Sequence, residues 1–300
     1  MASPIFVTGS HRSGTTWVGR MLGLSPEIFY IHEPFNVDYP HELVPRSFNR
    51  WYEYIPPTRK GERHDDLRRV IDLRYPLWYH LSRSRSLGEA VRCLRSSARY
   101  VKSRLLGRSV LLKDPLALLS AEWVAERFDL EVLVMIRHPA GFAGSLKKKE
   151  WTFPFRDLLA QDRLMEEHLS PFAEEIETFA NTGQDVVDQA ALLWTVLYTV
   201  VSAHQDQHPE WTFLRHEDVA RQPADIFESL YDRFGLCFTD SIQAEIKAHS
   251  EASGGDDDRL RRNSRAVVRN WERRLTPSEI KRVRGRTEPV ASEFYSDDDW

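Results

Sequence analysis

The 300-residue chain has only two cysteines, Cys93 and Cys237. Two cysteines cannot build a disulfide framework, and no CxxC or Cys/His cluster suggests a zinc site; the usage fits a reducing compartment. Long apolar runs are missing as well. The longest charge-free one, residues 190–203, has 14 residues, against the roughly 20 that a membrane span needs. Arg12 comes too early for the apolar core of a signal peptide. There is no surplus of positive charge: 41 basic against 45 acidic residues give −4, which argues against a dedicated nucleic-acid binder. Repeats and low-complexity tracts are absent. With 41% hydrophobic and 29% charged residues, the chain reads as a soluble, cytoplasmic, globular protein.

What is present is an alternation of short apolar runs and helical periodicities. Residues 4–9 (PIFVTG), 28–31, 109–112, 130–136 (LEVLVMI) and 211–214 read as buried strands. Helical spacing follows from Gly14, over 118–128, after Pro139, over 186–203, over 226–234 and from Pro277. This predicts an α/β fold of three layers, a mostly parallel sheet with helices on both faces, forming one domain over residues 1–300. Residues 35–106 and 150–185 break the alternation and read as insertions covering an active site. The tail 296–300 (SDDDW) reads as solvated.

The first strand leads into Gly9-Ser10-His11-Arg12-Ser13-Gly14-Thr15-Thr16. Strand, glycine-containing loop and helix N-terminus together cradle a phosphate or sulfate. The two glycines have Walker A spacing, but Thr15 stands where that motif has lysine. The cation has moved into the loop, as Arg12. Phosphoryl transfer needs the loop lysine and Mg²⁺; a sulfuryl group carries one negative charge fewer and can be held by amides and one or two cationic side chains without metal. The bland alternative is a glycine turn with no ligand. Arg137 ends the strongest strand, and Ser145 follows on the next helix, which offers a guanidinium and a hydroxyl to one anion. A base would belong at the C-terminal edge of the sheet, where His32, Glu33 and Lys113 end apolar runs.

These residues carry a family resemblance. Arg12-Ser13-Gly14-Thr15-Thr16-Trp17 resembles the 5′-phosphosulfate loop of sulfotransferases that use 3′-phosphoadenosine 5′-phosphosulfate (PAPS), and Arg137 with Ser145 resembles their 3′-phosphate motif. Lys113-Asp114-Pro115, His216-Glu217-Asp218-Val219 and Asn270-Trp271-Glu272-Arg273-Arg274-Leu275 resemble elements of the carbohydrate and tyrosylprotein branches. The resemblance implies a P-loop-type fold and a PAPS cofactor bound by Arg12, Ser13, Gly14, Thr15, Thr16, Trp17, Arg137 and Ser145. It implies Glu33 as base and Lys113 with Arg12 as stabilisers of the transferred and leaving groups. A late arginine would help hold the 3′-phosphate. Residues 259–274 contain seven arginines, and Arg265 and Arg269 are the candidates; a solvated basic helix is the plain alternative.

The expected reaction is metal-free sulfuryl transfer from PAPS to an acceptor hydroxyl, leaving adenosine 3′,5′-bisphosphate. A Mg²⁺-dependent nucleotide kinase and a non-catalytic nucleotide-binding protein are the rivals; Thr15 argues against the first, and Glu33 with Lys113 against the second. Residues 35–106 hold 15 Lys/Arg against 8 Asp/Glu, a surplus of +7, and ten aromatics. Arginines that pair with anions and aromatics that face sugar rings point to a saccharide or glycolipid acceptor. A small natural product or a protein tyrosine is the alternative. The same aromatics could instead form a core of the insertion.

Overall fold

The computed structural model describes residues 3–39, 41–44, 48–59, 62–251 and 268–300. Five parallel strands form one sheet in the order β2-β3-β1-β4-β5: β1 is Ile5–Gly9, β2 Ile28–His32, β3 Ser109–Lys113, β4 Glu131–Ile136 and β5 Thr212–Arg215. The central strands β1, β3 and β4 are apolar almost throughout because both faces are covered, while the edge strand β5 is half-buried. Phe6, Leu112, Val132 and Val134 face one core; Ile5, Val7, Leu111, Leu133 and Met135 face the other. The two-residue period of each strand thus feeds two separate cores.

Helix α1 (Thr15–Leu22) follows β1. In the first insertion come α2 (Glu62–Ile71), α3 (Leu77–Leu81) and α4 (Leu87–Leu105). Helix α5 (Ala121–Phe128) follows β3, and α6 (Pro139–Lys149) follows β4. The stretch 118–128 is not one helix. Asp114 caps a 3-10 helix, Pro115–Ser120, and α5 starts only at Ala121. The helix Val186–Gln207 is long and apolar enough to cross a membrane by length and composition. Here its apolar residues lie inside the protein, in the same core as the sheet.

The insertions also contribute to the core of the sheet, through Phe35, Tyr52, Tyr100, Leu158, Leu164 and Ile176. The tail, expected to be solvated, is so only in part: Ser296, Asp297 and Asp298 are exposed, but its end is docked. Trp300 packs edge-on against His138, with ring centroids 4.5 Å apart, and Asp299 pairs with Arg215 at 3.2 Å. Asp297 and Asp299 of the tail pair with arginines, Asp297 with Arg284 and Asp299 with Arg215 and Arg221.

Candidate active site

The loop after β1 is shaped by glycine where no side chain fits. Gly9 has φ +142°, and a Cβ there would lie 2.3 Å from the Met135 carbonyl oxygen; Gly14 has φ +98°, and its Cβ would lie 2.5 Å from Nδ1 of His216. Helix α1 then begins at Thr15 with Gly14 as its N-cap and no side-chain cap. The first-turn amides are thereby left for an anion. Arg12 is held in the left-handed region at φ +67°, a conformation that costs roughly 1–3 kcal/mol and tends to mark functional sites. His11 anchors the loop: its amide donates to the Tyr52 hydroxyl at 2.9 Å, and its ring Nδ1 lies 2.7 Å from the same oxygen. Burial pushes His11 down to about 3, so its ring is neutral at physiological pH.

Arg12, Arg137 and Ser145 meet, as their motifs imply. Arg12 Nε donates to Ser145 Oγ at 3.0 Å, and Arg137 donates to the Arg12 carbonyl oxygen at 2.7 Å. Arg137 is buried, and its backbone is clamped from three sides. Its amide donates to Tyr198 Oη, its carbonyl accepts from Trp194 Nε1, and the next amide, of His138, donates to Glu217. Glu217, in the His216-Glu217-Asp218-Val219 element, therefore positions Arg137. Among the described residues, Ser13 Oγ, Trp17 Nε1 and Arg137 Nε are buried with no hydrogen-bond partner. Buried donors without acceptors are rare and costly; a bound anion would supply acceptors, so these residues fit a nucleotide phosphosulfate.

Glu33 and Lys113 form the second cluster. Register pairs His32 of β2 with Lys113 of β3, and the chain turns at Glu33, φ +49°. Its amide donates to the Lys113 carbonyl at 2.8 Å. The two side chains form a short ion pair, and Glu33 also accepts from Asn36 Nδ2 at 2.8 Å. Burial alone would raise the Glu33 carboxyl; the Lys113 ammonium outweighs it and holds the group below the ordinary carboxylate range. Burial likewise pushes Lys113 below its usual range, with Glu33 opposing. Gly19 of α1 gives the lysine stem its space, since a Cβ there would lie 3.1 Å from Lys113 Cγ. Asp114 fixes the turn by accepting from the amides of Phe35 and Leu116 at 2.6 and 3.0 Å. His32 borders the pair, its Nε2 3.8 Å from the Glu33 carboxylate and its Nδ1 3.0 Å from Tyr30 Oη.

Of the late arginines, Arg265 lies outside the described residues. Arg269 is exposed and pairs with Glu272 at 3.2 Å and with the Asp298 carbonyl. Sequence reasoning missed Arg274: its Cβ would lie 3.5 Å from a Cβ on Gly144 of α6, and its charge acts on Arg137. The signal was available in the Trp271 to Leu275 resemblance, where Arg274 precedes the leucine.

A profile of the sulfotransferase family matches residues 4–240. The chain belongs to the sulfotransferase family. The sulfotransferase domain from the Synechococcus PCC 7002 olefin synthase is 15% identical, with a TM-score of 0.50, over 99% of this chain and 96% of that one. The sulfotransferase domain from the curacin biosynthetic pathway is 13% identical at 0.49, over 96% and 98%. A Mycobacterium avium sulfotransferase is 14% identical at 0.47, over 98% and 77%. At 15% identity the first of these shows a likeness of fold alone. No curated protein matches the chain.

Proposed function

We propose that this sulfotransferase uses PAPS as donor and an acceptor hydroxyl as nucleophile, with Glu33 as general base. The observation that carries the reading is the Lys113–Glu33 ion pair at the sheet edge that also bears the uncapped α1 N-terminus and the Arg12–Ser145–Arg137 cluster. PAPS, when bound, supplies the activated sulfuryl group. Arg12 and the α1 amides would hold the 5′ side; Arg137, Ser145 and Arg274 would hold the 3′-phosphate. Lys113 would turn from Glu33 toward the new negative charge and stabilise it on the leaving side. Glu33, released and facing the acceptor, would take the hydroxyl proton. Catalysis of this kind is positioning and electrostatics.

We further propose a saccharide or glycolipid acceptor. The +7 surplus of residues 35–106 and the resemblance carried by Lys113-Asp114-Pro115 support it. The aromatic part of the argument is narrower than expected. Phe35, Phe48, Tyr52, Tyr54 and Tyr100 are buried, and Phe35 stacks on Phe48 at 3.8 Å, so they build the insertion rather than meet a sugar. The test is transfer of labelled sulfate from PAPS across glycans, phenols and tyrosine peptides. Glycan labelling supports the proposal. Labelling of phenols alone would overturn the acceptor, and no labelling with any acceptor would overturn the donor.

A further inference from the structure

The reading of the sequence found no Cys/His cluster for zinc, yet folding brings together three ligand-type residues away from the site above. His204 lies in the last turn of the helix Val186–Gln207 and His208 is its C-cap, and Glu122 comes from α5, with ligand atoms within 4.8 Å of one another. They lie six and ten residues beyond Tyr198, about 9 and 15 Å along the helix axis, whereas Tyr198 touches Arg137 and Ser10. We propose that Glu122, His204 and His208 form a divalent-metal site, of Zn²⁺ type, that pins α5 to the end of the long helix.

The spacing accommodates an ion in place of the direct Glu122–His208 hydrogen bond. Glu122 Oε1 lies 3.0 Å from His208 Nε2 and 3.7 Å from His204 Nδ1. A tetrahedral Zn²⁺ with bonds of about 2.0–2.1 Å spaces its ligand atoms roughly 3.3 Å apart. His204 is 2% exposed, and among the described residues neither ring nitrogen has a hydrogen-bond partner; a metal would satisfy one. The other nitrogen of His208 lies 3.1 Å from Glu210, the carboxylate that commonly orients a ligating histidine. Two imidazoles and one carboxylate suit Zn²⁺, with water as a fourth ligand. His168, within electrostatic reach of His204 and Glu122, borders the site.

The test uses untagged, chelator-treated full-length protein. Zn²⁺ titration by calorimetry should show one tight equivalent. Co²⁺ should give the intense visible bands of a tetrahedral ion with no thiolate band. His208→Gln and Glu122→Gln, each at a half-buried position, should remove the tight equivalent and the Zn²⁺-dependent rise in Tm, and Cys237→Ser should change neither. Absence of a tight equivalent, or one unaffected by both substitutions, would overturn the site.

A separate observation concerns α4. Its buried residues are only two, Tyr100, which packs into the core of the sheet, and Ser103. Its large apolar residues point out: Leu87 is 87% exposed, Leu94 51% and Leu105 80%, with Val91 and Val101 also exposed. Positions 87, 91, 94, 98, 101 and 105 alternate steps of four and three and form one stripe. Arg95 and Lys102 border it on one side and Arg104 on the other, and among the described residues none of the three has an ion-pair partner. Two copies joined through this stripe would bring like charges together around a central alanine, Ala98. An anionic bilayer would instead receive the apolar stripe and neutralise the rim. We infer that α4 docks the protein on anionic lipid surfaces.

Flotation with phosphatidylcholine vesicles, with and without phosphatidylserine, tests this at low and moderate salt. Binding should require the anionic lipid, weaken with salt, and disappear in Leu94→Glu/Val101→Glu, whose exposed positions leave the circular dichroism and Tm unchanged. Lack of vesicle binding, binding unaffected by the double substitution, or a dimer in solution that the substitution dissociates would overturn the inference.

Discussion

Lys113 and Glu33 are joined across two strand ends, and only the glutamate reaches solvent: the lysine side chain is 1% exposed and the glutamate 18%. A buried ammonium with a single carboxylate partner keeps that partner ionised but also occupies it. Glu33→Gln should therefore lower turnover by about 10²–10⁴-fold while leaving affinity for adenosine 3′,5′-bisphosphate nearly intact. Lys113→Met removes the charge that holds Glu33 down. With Glu33 as the proposed base, turnover needs its ionised form, so the acid limb of kcat/KM should move to higher pH in this variant. An acid limb that stays in place would assign the base elsewhere, His32 first.

Gly19 tests the same pair from behind. Alanine there would approach Tyr30 to 3.0 Å and the Lys113 stem to 3.1 Å, tighter than normal packing. Alanine also favours the helix by roughly 1 kcal/mol. Gly19→Ala should thus be nearly neutral in Tm yet lower kcat by displacing Lys113. Unchanged kcat with a higher Tm would mean that the lysine tolerates the shift.

Most of the fold was legible, because a parallel sheet covered on both faces writes its strands as apolar runs and its crossovers as helical periodicity. Arg12, Arg137 and Ser145 were legible because glycine spacing and strand ends are local signals. Arg274, Glu122 with His204, and the docked Trp300 were not. Each depends on which segment folds against which, and nothing near Glu122 announces histidines more than 80 residues away. The outward leucines of α4 were hidden for a related reason: periodicity reports a face but not the side on which the protein lies.

Buried neutral histidines predict the acid response. Burial pushes His11 and His138 down to about 3, His41 to about 4, and His216 well below its usual value. Between pH 6.5 and those values the unfolded chain binds protons that the folded chain does not, so stability falls as pH falls. The ceiling is about 1.4 kcal/mol per pH unit for each group. Asp114, raised to about 7 by burial, and Glu217, also raised, act oppositely, since the folded state holds their protons longer. His32 and His168 are also lowered and Asp157 and Asp188 also raised by burial, so six imidazoles stand against four carboxyls and leave a net loss. Tm should drop steadily from pH 7 to pH 5, and a flat profile over that range would show that the histidines charge in place.

The proposed 3′-phosphate site gives the sharpest test of how the nucleotide would be held. Arg137 is buried with Nε unpartnered, Ser145 accepts from Arg12, and Arg274 adds charge beside them. Three donors on one phosphate should make adenosine 3′,5′-bisphosphate a far better ligand than AMP. At 100 times its dissociation constant the bisphosphate should stabilise the fold by about 2.7 kcal/mol, and AMP at the same concentration by much less. Ser145→Ala removes one neutral donor and should weaken the bisphosphate about tenfold, in line with roughly 1–1.5 kcal/mol for one hydrogen bond. Arg274→Ala removes a charge near a desolvated phosphate and should cost more than Ser145→Ala while leaving AMP unaffected. Arg137→Ala also frees the Arg12 carbonyl and should weaken both ligands. Calorimetric titration of the two nucleotides into the four proteins measures each difference. Equal binding of AMP and the bisphosphate by the unaltered protein would remove this cluster from the 3′-phosphate and leave Arg12 and the α1 amides as the whole anion site.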